Sequence, residues 1–345
     1  MLSPAMHRAG SSAQQAERLG SASLPAHKSR RGVARPRRLL PFYSRLWQRL
    51  HQKEHHQAVQ QQQQASAYSA LALLHTVTAA ATCFAPGWAM ANLFDWLPTT
   101  ATAMQLVVAP GAYLWLVAAC LVCLKEAAAH SRLASDTYKR LNLGVMYQSI
   151  VFAVLAIRER ALLSNTTLGF CLAVLGATAF VAGRVFAVSA GGFSLPTIVK
   201  SFVGNLKDLF TPKTLVSGFY ALCAALALYM FFWQFPSPGT PLFLADEGPV
   251  AVLLKQARGA GMVLAGIVWY TLKDAADRGR LAASTFRLLN AAMAVVAALQ
   301  LAAYGYMAWA GVPLVPKLYH MLKSTGSITV LVCGFQYLFA SKQEV

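Results

Sequence analysis

The sequence predicts an all-α polytopic transmembrane bundle of about eight spans, arranged as two tandem four-helix repeats in parallel orientation. Three observations predict it. The chain is poor in charge, apolar stretches of membrane-spanning length recur along it, and one polar segment occurs twice.

Of 345 residues, 57% are hydrophobic and only 12% are charged. Soluble domains carry about 25% charged residues. Half that proportion leaves too little polar surface to cover a water-facing globule, so lipid must solvate most of the chain. The net charge is +18, from 30 Lys and Arg against 12 Asp and Glu. A pI of 10.0 raises the question of nucleic-acid binding. No basic folded face or nucleic-acid motif accompanies it, and loop charges that set membrane orientation explain the excess. The expected partner is the lipid bilayer, with no nucleic acid.

Residues 1–38 are rich in Ala, Ser and Arg and hold a single acid, Glu17. That composition resembles a transit peptide, and a plastid membrane is the destination it favours. Residues 39–64 follow, first as an interfacial helix and then as a Gln- and His-rich linker. In the helix, Leu39, Phe42, Leu46 and Leu50 recur at three- and four-residue spacing, opposite Arg45 and Arg49. In the linker, His51, His55 and His56 have the look of low complexity rather than of a metal site.

Apolar stretches then fall at 66–84, 103–124, 141–157 and 167–187, and again at 214–234, 249–272, 288–309 and 324–340. Each is near the roughly 20 residues that cross a bilayer. Helices are required because lipid cannot satisfy open backbone groups. The first four spans make a repeat over 65–188 and the last four a repeat over 214–345. Between them, 189–213 holds a linker with an amphipathic surface helix bracketed by Pro196 and Pro212.

The duplication is read from a loop. Residues 124–142 (LKEAAAHSRLASDTYKRLN) and 272–290 (LKDAADRGRLAASTFRLLN) match at an offset of 148 without a gap. Identity across a polar loop is not an accident of apolar composition. A unit of four spans keeps both copies the same way up, related by an axis along the membrane normal. Charge agrees: the loops on the side of the termini carry thirteen Lys and Arg, even before the N-terminal segment is added, against six on the other side.

Candidate functional residues fall into three groups. The repeated loop pairs Lys125, Glu126, Arg132 and Asn142 with Lys273, Asp274, Arg280 and Asn290, and two copies on one face could hold an anion or a lipid headgroup. The competing reading is orientation and helix ends, with Asp136 four residues from Arg132 for a local pair. Lys255 and Arg258 break the repeat, standing where the first copy has Val107 and Pro110. They are expected to snorkel to the surface near Asp246 and Glu247, or else to line an aqueous vestibule. His75 is the one titratable residue well inside a span, read either as a proton relay or, more plainly, as an imidazole satisfied between helices.

No catalytic residues, metal ligands or cofactor site are expected. Cys120 and Cys123 form a C-x-x-C within a span and read as small apolar residues, because no further ligand is placed near them. Gly169, Ala173 and Ala177 share a helix face and suit close packing against a second copy or another membrane protein. The expected function is a small-solute transporter or channel, with a path between the halves. The alternative is a non-catalytic membrane scaffold or assembly factor.

Overall fold

The computed structural model describes residues 40–94, 106–192, 207–234, 249–311 and 316–339. The segment read as a transit peptide and most of the expected inter-repeat surface helix lie outside them. In chain order the helices are α1 Leu40–Phe84, α2 Pro86–Leu93, α3 Val108–Ala129, α4 Asp136–Arg158, α5 Asn165–Ser189, α6 Leu215–Gln234, α7 Pro249–Asp277, α8 Ser284–Trp309 and α9 Pro316–Phe339. No strand forms among the described residues; Phe94 and Leu163 make an isolated bridge.

Seven of these helices, with α1 counted from Ala58, are long and apolar enough to cross a membrane. The last helix, α9, has 24 residues. Large apolar side chains stay uncovered on the outside, among them Leu215 at 93%, Trp309 at 81% and Leu331 at 70% exposure. Water does not tolerate that much open apolar surface and lipid does. The chain is an all-α, multi-pass integral membrane protein.

Local chemistry explains the boundaries. The sequence reads 51–64 as a linker, but α1 runs straight through it. Gln is a good helix former, and the run holds no Gly or Pro to stop a helix begun at Leu40. Pro86 ends α1, because it holds Ala85 out of the helical region at φ −130° and ψ 57° and then opens α2 at its first turn. Ser164 caps α5, its hydroxyl accepting from the Thr167 amide at 3.2 Å. The helices also extend past their apolar stretches into charged turns: α3 keeps Lys125 and Glu126, and α4 starts at Asp136.

The offset of 148 carries over into the fold. The turn after α3 and the turn after α7 are the same device. Ser131 has φ 57° and Gly279 has φ 63°. Beside them, Arg132 N–H donates to Ala127 O and Arg280 N–H donates to Ala275 O, each at 2.8 Å. Both are Schellman closures, in which one left-handed residue returns the chain to the carbonyls its helix leaves open.

Packing shows the same exchange. Helix α3 packs on α8 as α7 packs on α4, and α4 pairs with α5 as α8 pairs with α9. One continuous apolar core runs through both halves, from Leu71 and Leu116 to Leu264 and Leu289. A second core gathers at the far end of the bundle, away from these turns, around Met90, Leu155, Leu253 and Tyr304.

Candidate anion-accepting cavity

Packing leaves a cavity of about 220 Å³ in the second half. Its walls come from α6, α7, α8 and α9, and Tyr113 of α3 reaches in from the first half. Trp269 closes one end. Its ring stacks on Tyr220 at 5.6 Å between centroids. Tyr220 is held in turn by a hydrogen bond from its hydroxyl to Asn290 Oδ1 at 2.7 Å. The anchor is built up from the helix, because Asn290 Nδ2 donates to Phe286 O four residues back, fixing the side chain against its own turn.

The polar end of the cavity is Arg258. Its side chain lines the cavity and is 0% exposed, and neither Nε nor either terminal nitrogen has a hydrogen-bond partner. The guanidinium carbon lies 5.2 Å from the centre of the Tyr304 ring. A cation over an aromatic face recovers some of its lost hydration. It does not replace the five N–H···O bonds a guanidinium can make. The buried Tyr304 hydroxyl is also without a partner. Gln300 lies on the same wall.

The sequence expects Lys255 and Arg258 to snorkel. The structure buries them instead, at 6% and 0% exposure. Arg258 lies nine residues into a 29-residue helix, about 13 Å along its axis. The Tyr304 ring of α8 lies over its guanidinium, and the whole side chain is enclosed. In the sequence Arg258 stands out as a charge where the first copy has proline, but nothing there places Gln300, Tyr304 and, at the opposite end, Trp269 in one cavity with it. Those three also lack counterparts in the first copy, where Leu121, Phe152 and Ala156 stand.

Several side chains of the repeated loop are taken up by partners within the protein. Asn142 and Asn290 are both fully buried. Asn142 Oδ1 accepts from the Tyr68 hydroxyl at 2.6 Å, as Asn290 does from Tyr220. Lys273 is tied to Asp277 at 2.7 Å and donates to Asp208 O at 2.6 Å. Asp274 is neutralised by Arg140 at 2.6 Å and Arg278 at 2.9 Å. Arg132 and Arg280 remain exposed on their separate turns, Lys125 is half-buried and Glu126 exposed. Arg132 and Asp136 form no ion pair among the described residues.

His75 is 2% exposed, and its Nε2 sits 3.0 Å from Thr178 Oγ1, so this imidazole joins α1 to α5. Cys120 and Cys123 are free, buried thiols. Gly169, Ala173 and Ala177 lie on an exposed face of α5.

No protein-family model matches the chain, and no curated protein is significantly similar to it. Its class therefore rests on the fold: a multi-pass helical membrane protein with a charged cavity between helices of its second half.

Proposed function

We propose that the protein is a small-solute transporter or channel whose solute site is the cavity inside the second half. The observation that carries this reading is Arg258, a fully buried cation without a hydrogen-bond partner, facing space that a small molecule can enter. A charge held inside a bilayer costs roughly 2.5–3.5 kcal/mol on insertion scales. Residues that carry such a cost in spans mark solute or ion pathways. The expected path between the halves is filled by the shared core, which moves the site off the repeat interface and into one repeat.

The test is thiol accessibility in a background without the six native cysteines. A cysteine at Ala297, on the cavity wall, is expected to react with a small, membrane-permeant thiol reagent such as N-ethylmaleimide. A cysteine at Leu264, in the packed core between halves, should stay protected. Protection at both positions would end the transport reading. It would leave the scaffold reading, which the uncovered Gly169, Ala173 and Ala177 face of α5 favours.

A further inference from the structure

We infer that the cavity binds an amphipathic organic monoanion, a carboxylate with an aliphatic tail, which enters from the bilayer between α6 and α9. The inference rests on the solute site proposed above and names what occupies it.

Charge sets the head. Arg258 brings one positive charge to the lining, and no carboxylate among the described residues lines the cavity to offset it. A single carboxylate supplies the missing balance and accepts in-plane from two guanidinium nitrogens at once. The free Tyr304 hydroxyl is a further donor at the same place. A cationic head would meet uncompensated repulsion. A neutral alcohol would leave the guanidinium charge unbalanced.

The walls set the tail. Away from Arg258 the lining is Met262, Met293, Val296 and Leu301, with Trp269 at the end. Methionine adapts to flexible chains better than branched residues do. At about 220 Å³ the space is smaller than the pockets of about 300–1,000 Å³ that hold drug-sized ligands.

Helix packing sets the route. Near the turn end, α6 and α9 share the core, where Tyr220 and Cys333 are both fully buried. Elsewhere along their length they are not a closely packed pair among the described residues. The cavity residues there reach the outside: Tyr229 is 60% and Leu226 is 38% exposed, and Thr325 across the gap on α9 is exposed too. A cavity that opens through a lipid-facing seam admits a molecule already dissolved in lipid.

The experiment measures binding of radiolabelled octanoate to the full chain in nanodiscs, with empty nanodiscs subtracted, against octanol and octylamine as competitors. Octanoate should bind saturably. Octanol and octylamine should compete at least tenfold more weakly. Arg258→Gln should weaken octanoate binding by about 10- to 100-fold, and Arg258→Lys by less. Filling the space with Ala297→Trp should abolish it. Equal competition by octanol, or unchanged binding by Arg258→Gln, would overturn the inference. The headgroup series on the unmodified chain decides the matter alone should Arg258→Gln fail to fold. Octanoate bound through Arg258 but not moved across proteoliposomes would uphold the inference and remove transport. Arg258-independent flux of a neutral solute would do the reverse.

Discussion

Arg258 is the residue on which most depends, and its energetics run against its usefulness. A buried charge without hydrogen bonds opposes folding, and natural proteins retain such groups where function needs them. Arg258→Met should therefore stabilise the unliganded protein by about 1–4 kcal/mol, read as a raised midpoint in detergent unfolding, and should remove stabilisation by octanoate. A fall in that midpoint would mean that the guanidinium holds the bundle together. Part of this was legible in the sequence, where Arg258 stands against Pro110 in the aligned repeat. The Tyr–Asn anchors were not. Asn142 and Asn290 obey the offset of 148, but Tyr68 and Tyr220 lie 152 apart. The excess of four residues is about one helical turn. The first helix of each half is thus displaced by a turn relative to the loops, and an ungapped comparison passes over it.

The helices themselves were largely legible, because lipid requires length and apolarity and both are written in composition. Their ends were less so. Hydropathy marks where a side chain leaves lipid, while the helix ends where backbone chemistry stops it. That is why α4 begins at Asp136 and α1 extends back to Leu40. The two Schellman turns give this a measurable form. Ser131 adopts a left-handed conformation that suits glycine, and Gly279 occupies the matching place in the second copy. Ser131→Gly should stabilise by up to about 1 kcal/mol, less the small contribution of the exposed hydrogen bond its hydroxyl accepts from Gln61 Nε2 at 2.6 Å, and Gly279→Ala should destabilise by about 1 kcal/mol. No neighbouring atom crowds a Cβ at Gly279, so the change there reports backbone conformation alone. Opposite signs in chemical denaturation are the expected result, and equal signs would mean that the turns differ in role.

For the bundle as a whole, the duplication makes a statement about sidedness. Four spans to a unit predict that the turns at Ser131 and Gly279 face the same compartment and the turn at Ser164 the other. Single cysteines at the first two positions should be modified from one side of sealed vesicles, and a cysteine at Ser164 only from the opposite side. Labelling of Ser131 and Gly279 from opposite sides would break the parallel arrangement.

Tyr113 has one more consequence. It is the first half's contribution to the cavity wall, and its ring lies so close over Gly261 that even a methyl group there would overlap it. The second copy, cut free of the first, would thus keep its arginine and lose a side of its enclosure. The two matching segments are therefore not equivalent in the fold: one holds the hollow and the other supplies part of its lid.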